Sequence, residues 1–151
     1  MKYLKLVLVA VPFILFSCSK GGDTATTPTP TPTPTPVVVV PAEADIAFKV
    51  EIDAKEVDYT SIIAALSTTQ AINVNVTSTL PKDGVTIDVS TKKNADNTVV
   101  SSSSASSTTG ATNAASVTSL APGVLCTVTV TVTSKTKSSN SSTKTFQIAA
   151  K

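Results

Sequence analysis

Four carboxylates, Glu51, Asp53, Glu56 and Asp58, form the tightest grouping of side chains able to do chemistry in this sequence, with Glu43 and Asp45 just ahead of them. Calcium takes about six to eight oxygen ligands from flexible loops, so the four are calcium candidates. The competing reading is a solvated strand edge. Glu51 and Asp53 fall at outward positions of a strand, and charges on an edge discourage pairing with another sheet. Hydrolysis by paired carboxylates needs the acids in a cleft lined for sugar, whereas these are scattered on polar positions with few aromatics near them. Of the two cysteines, Cys126 shares an apolar register with Val128 and Val130, and the chain has no His to activate it. A reactive thiol needs a cationic, accessible setting, so Cys126 is expected in a core. No Gly-rich phosphate loop, metal-spaced Cys or His cluster, or serine elbow occurs. The expectation is no catalytic residue and no cofactor.

Composition excludes further classes. Twelve lysines face ten carboxylates, and there is no Arg, His or Trp. Lys2 and Lys5 belong to a leader discussed next, so the remainder is balanced. A nucleic-acid binder needs a positive stripe, usually with Arg, and none is present. Beyond the leader the aromatics are Phe48, Tyr59 and Phe146, too few for a surface that holds sugars by stacking. Ser and Thr make up about 30% of the chain, far above ordinary globular usage.

The leader is a basic start, Met1-Lys2-Tyr3-Leu4-Lys5, an apolar run from Leu6 to Phe16 broken only by Pro12, and then Ser17-Cys18. Basic, apolar and small, in that order, is a secretory signal. The run is too short to span a bilayer, which takes about 20 apolar residues. With a cysteine directly after the small residue, it resembles a bacterial lipoprotein signal. The resemblance implies a signal peptide over 1–17, an acylated Cys18 as the first mature residue, and a membrane partner reached through that lipid. One acyl chain binds reversibly, at about 0.8 kcal/mol per buried CH₂, whereas two or three hold lastingly. Ser19 stands where an inner-membrane retention signal would place Asp, which points to the outer membrane, with the cell-surface face favoured.

Residues 18–42 then read as the lipidated cysteine and a disordered tether. Thr27 to Pro36 repeats Thr-Pro without interruption. Each Pro fixes φ and biases the preceding residue to extended geometry, so the segment reads as a polyproline II spacer rising about 3.1 Å per residue. Asp23-Thr24-Ala25 matches a pattern that some Gram-negative bacteria O-glycosylate, which makes Thr24 a glycosylation candidate. Asn75-Val76-Thr77 and Asn140-Ser141-Ser142 match the N-glycosylation pattern, which carries no meaning for a bacterial lipoprotein.

From residue 43 to 151 the hydropathy has period two. Phe48, Val50 and Ile52 alternate with charged residues, as do Ile72, Val74 and Val76 with Asn and Thr. Val85, Ile87 and Val89 alternate with Thr86 and Asp88. Cys126, Val128, Val130 and Val132 alternate with four Thr, and Phe146 and Ile148 with Thr145 and Gln147. Such alternation puts one set of side chains in a core and the other in water. Turn signals separate the runs: Pro81–Gly84, Lys93–Asn97, the serine-rich stretch around Gly110, Pro122-Gly123, and Lys137–Asn140. Val57–Leu66 reads as an irregular edge strand and turn. About seven short strands make an all-β, two-sheet antiparallel sandwich.

Leu120-Ala121-Pro122-Gly123-Val124-Leu125-Cys126, followed by alternating Thr and Val, resembles the corner of a fibronectin type III domain, where Leu-x-Pro-Gly-x-x-Tyr leads into a strand. The resemblance implies a seven-stranded immunoglobulin-like sandwich over 43–151. Cys126 occupies the tyrosine's place, so the corner hydrogen bond from that hydroxyl is not expected there. Such a fold implies no activity by itself. The functional expectation is a non-enzymatic, envelope-anchored lipoprotein whose module contacts a protein partner in adhesion or in a structural or accessory role. The contact would use a sheet edge or the loops at Lys82–Gly84 and Pro122–Val124. The alternative is a carbohydrate-binding accessory lipoprotein of a surface glycan-uptake system, with the scarcity of aromatics against it.

Overall fold

Valine, isoleucine and phenylalanine at every second position can be buried together only if their strands lie in sheets whose apolar sides face each other. The structure, a computed structural model that describes residues 41–107 and 110–151, has that arrangement. Its strands are β1 (Phe48–Ile52), β2 (Lys55–Glu56), β3 (Ile62–Ala65), β4 (Gln70–Val76), β5 (Val85–Lys93), β6 (Val99–Ser107), β7 (Thr112–Val117), β8 (Leu125–Ser134) and β9 (Ser141–Ala150). One sheet has the order β2-β1-β4-β7 and the other β3-β9-β8-β5-β6. The signal, Cys18 and Thr24 lie outside the described residues.

The all-β sandwich is as the alternation predicts. β8 is the clearest case: Cys126, Val128, Val130 and Val132 are buried while the intervening Thr side chains are half-exposed. Phe48, Val50, Val74, Ile87, Phe146 and Ile148 join them in one core drawn from both sheets. Each such side chain contributes about 1.5–3 kcal/mol by leaving water. The outward threonines also pair, as Thr131 and Thr143 do across β8 and β9 with their hydroxyls 3.0 Å apart. At the Pro81–Gly84 turn, Gly84 takes φ 79° and donates its N–H to the Pro81 carbonyl at 3.0 Å, a conformation that only glycine adopts without strain.

Three expectations are corrected. The strands number nine rather than seven among the described residues, because a short return after β1 and the serine-rich stretch around Gly110 supply strands that the alternation does not mark. β2 is a two-residue return strand paired with β1. β3 is the edge strand expected within Val57–Leu66. Secondly, β3 runs parallel to β9, so the sandwich is not wholly antiparallel. The chain leaves β2, crosses to the other sheet, and turns again before pairing, which sets it in the direction of β9. Thirdly, the serine-rich stretch is not a long turn but mostly strand: β6 and β7 flank Gly110. Ser102, Ser104 and Ser106 are exposed, and their strand is held by its ladder to β5 rather than by burial.

Candidate functional site

The four carboxylates are placed by the β1–β2 hairpin and the crossing that follows it. Asp53 and Ala54 both have positive φ, 51° and 62°, which makes a two-residue turn of the I′ kind. Asp53 therefore sits in the turn and not on the outer face of a strand, as its register had suggested. Glu51 remains in β1, half-buried, with its carboxylate 2.6 Å from Lys49 Nζ. That lysine, two residues away on the same face, is the main cause holding the Glu51 carboxyl below its usual range. Asp58 accepts the Thr60 hydroxyl at 2.6 Å and the Thr60 N–H at 2.9 Å on one oxygen. Those bonds lower its pKa likewise. The Asp58 carboxylate is thus occupied in closing its own turn. Among the described residues, no three His, Cys, Asp or Glu side chains gather closely enough to hold a metal ion.

What three of these acids do share is a cleft. A cavity of about 400 Å³ opens between the β2 and β3 edges, floored by Ile52, Val57 and Ile63 and rimmed by Asp53, Lys55, Glu56 and Asp58. Beside it β3 turns apolar side chains to water: Ile62 is 57% exposed, and Leu66, just past the strand, 85%. Sequence reasoning treated this segment as an edge and turn only. The signal was present in Ile62-Ile63-Ala64-Ala65-Leu66, a run apolar in both registers. An edge strand can bury only one of those registers.

The other candidates are separated. Cys126 is 1% exposed, and burial pushes its thiol pKa up, outweighing the nearby Lys93. Tyr59 is half-buried: its hydroxyl accepts the Val50 N–H at 3.0 Å, and Lys144 Nζ lies 4.5 Å from its ring centre. The loops at Lys82–Gly84 and Pro122–Val124 stand at opposite ends of the sandwich. Gly84 accepts from Lys135 at one end of β8, while Gly123 donates to Ala150 at the far end of β9. They cannot form one surface. Asn140 of the second glycosylation-like triplet is buried, with both side-chain polar atoms bonded within the protein.

No family model matches the chain, and no curated protein matches it.

Proposed function

We propose that this chain is a non-enzymatic, lipid-anchored module of a bacterial envelope that works by protein–protein contact at a sheet edge. The observation that carries the contact is the exposed apolar β3 edge with Ile62 and Leu66 in water beside an apolar-floored cleft. Neighbouring exposed aliphatics of this kind mark interaction surfaces. The lipid anchor rests on the Ser17-Cys18 signal in the sequence. An immunoglobulin-like or fibronectin type III-like reading is supported by the strand order, with β1, β4 and β7 in one sheet and β9, β8 and β5 in the other. Tyr59, the one aromatic near the surface among the described residues, is engaged by Lys144 and the Val50 N–H, which counts against a ring platform for a sugar.

The test has two arms. Cys18→Ser moves the protein from the membrane fraction to the soluble one, and a variant that still sediments with membranes overturns the anchor. A photo-crosslinking amino acid placed in turn at Leu66, Ser102 and Thr136 in intact cells gives a protein adduct from at least one position. No adduct from any of the three overturns the contact.

A further inference from the structure

β3 closes the five-stranded sheet, and among the described residues no strand pairs with the far side of its backbone. Ala65 turns its carbonyl towards Lys151, whose N–H reaches it at 3.1 Å, and β9 runs along that same side. Backbone groups alternate sides along a strand, so Ile62 and Ala64 direct theirs to the free edge. The inward side chains of β3, Ile63 and Ala65, face the core, and Ile63 forms part of the cleft floor. A strand laid along this edge would meet three things together. It would find backbone groups at Ile62 and Ala64, an apolar floor of Ile52, Val57 and Ile63 under every second side chain, and a rim where Asp53, Glu56 and Asp58 outnumber Lys55.

We propose that this flank takes an extended peptide segment of a partner protein, with alternate aliphatic side chains and at least one Lys or Arg, added as a strand beside β3. The proposal rests on the protein-contact reading above and names the partner's chemistry. Main-chain hydrogen bonds supply affinity in strand addition, and pockets under alternate side chains supply selectivity. Here the floor accepts an aliphatic side chain, Ile62 and Leu66 pack against its outward neighbours, and the three carboxylates select a cation. The rim is exposed, so its part of the binding weakens with salt. A second copy docking through its own long edge strand is the poorer match. β6 carries no basic residue, and no residue from Asn97 to Ser134 carries a charge.

The experiment titrates two fluorescent peptides, Thr-Val-Lys-Val-Lys-Val-Thr and Thr-Val-Glu-Val-Glu-Val-Thr, against the full-length protein in detergent, and maps amide exchange in the complex. The lysine peptide is expected to bind about tenfold or more tightly than the glutamate one, a gap of roughly one decade in affinity. Exchange should slow at Ile62 and Ala64. Glu56→Lys should narrow the gap between the peptides. Ala64→Pro, which removes an outward N–H and leaves the β9 ladder intact, should abolish binding at an unchanged melting temperature. If Ala64→Pro fails to fold, Glu56→Lys and the exchange map still decide. Equal binding of both peptides, protection elsewhere, no binding at millimolar peptide, or self-association protecting β6 overturns the proposal. An adduct from Ser102 or Thr136 alone would leave the contact reading standing while removing this site.

Discussion

The side-chain oxygen of Asn140 accepts the backbone N–H of Ile46 at 3.0 Å, across 94 residues of sequence. Its amide nitrogen donates to the Glu43 carboxylate at 2.5 Å and the Ala44 carbonyl at 2.9 Å. One amide in the turn before β9 thereby fixes the segment that leads into β1, and it is only 9% exposed. Asn140→Ala leaves a buried N–H without a partner, at a cost of about 1–3 kcal/mol. The expected result is a lower urea midpoint with an unchanged slope. Asn140→Asp keeps the acceptor but sets a second carboxylate against Glu43, so its loss of stability should be greater at neutral pH than at pH 4. A wild-type midpoint for both variants would show that the bridge contributes nothing.

Thr91 is fully buried, at 0% exposure, and its hydroxyl has no hydrogen-bond partner among the described residues. It sits in β5 where the register towards β6 shifts. A buried polar group without a partner carries an uncompensated desolvation penalty. Thr91→Val keeps the shape and removes the penalty, and should stabilise the domain by about 1 kcal/mol. Thr91→Ser keeps the hydroxyl and removes the methyl, and should destabilise it. Calorimetric melting separates the two, and a fall in melting temperature for Thr91→Val would mean that the hydroxyl is satisfied in solution.

Ala54 holds φ 62° in the β1–β2 turn, a left-handed conformation that costs a residue with a Cβ about 1–2 kcal/mol. Glycine adopts it freely, and Asp-Gly is a preferred pair for this turn. Ala54→Gly should stabilise the domain by about 0.5–1 kcal/mol after the extra unfolded-state entropy of glycine is subtracted. Ala54→Val should cost more than Ala54→Gly gains, because a β-branched residue resists positive φ most strongly. Urea melts of the pair check both signs.

These positions show where sequence and structure part. Strands with one buried face, such as β8 with its Val and Thr, announce themselves, because burial writes period two into the residues. β6 does not: Ser101 to Ser104 read as loop by composition, yet a partner strand on one side gives their backbone groups a ladder regardless of side chain. Tertiary context overrides a β-propensity that is weak to begin with. The carboxylates show the same division. Their clustering in sequence was plain, but a turn at Asp53-Ala54, where alanine stands in place of the glycine that would mark it, turned Asp53 out of the strand. Asp58 was claimed by Thr60, two residues on. The cleft was invisible because it needs the β2 and β3 edges side by side, and β3 reaches its place only by pairing with β9 at the other end of the chain.

Cys126 is buried against the Val124 carbonyl, its sulfur 3.9 Å from that oxygen. Burial raises its pKa, so the folded state favours the neutral thiol. A raised pKa stabilises the fold fully below the unfolded value of about 8.5, and that contribution fades as pH rises through the folded value. In a Cys18→Ser background, where Cys126 is the only thiol, a disulfide reagent should label slowly at neutral pH and rapidly in denaturant. The loss of stability above pH 9 should be smaller in Cys126→Ala than in the parent. Rapid labelling of the native protein would place the sulfur at the surface.

The carboxylates act in the opposite pH range. Glu51 is held low chiefly by Lys49, Asp58 by Thr60, and Asp96 by the Thr98 N–H at 2.9 Å. A depressed folded pKa gives stability that is present above the unfolded value, near pH 4, and is lost as pH falls through the folded one. The melting temperature should therefore hold steady from pH 7 to pH 5 and decline below pH 4. Asp58→Asn and Asp96→Asn should each make that decline shallower, because each removes one group that must otherwise take up a proton. Millimolar calcium should leave the curve unchanged at every pH. Calcium needs several oxygens converging on one point, whereas Glu51 faces Lys49, Asp58 closes its own turn, and Asp53 and Glu56 stand apart on the rim. A calcium-dependent rise in melting temperature that disappears in Asp58→Asn would mean that the rim closes around the ion, and the cleft would then have to be reassigned from a peptide site to a metal site.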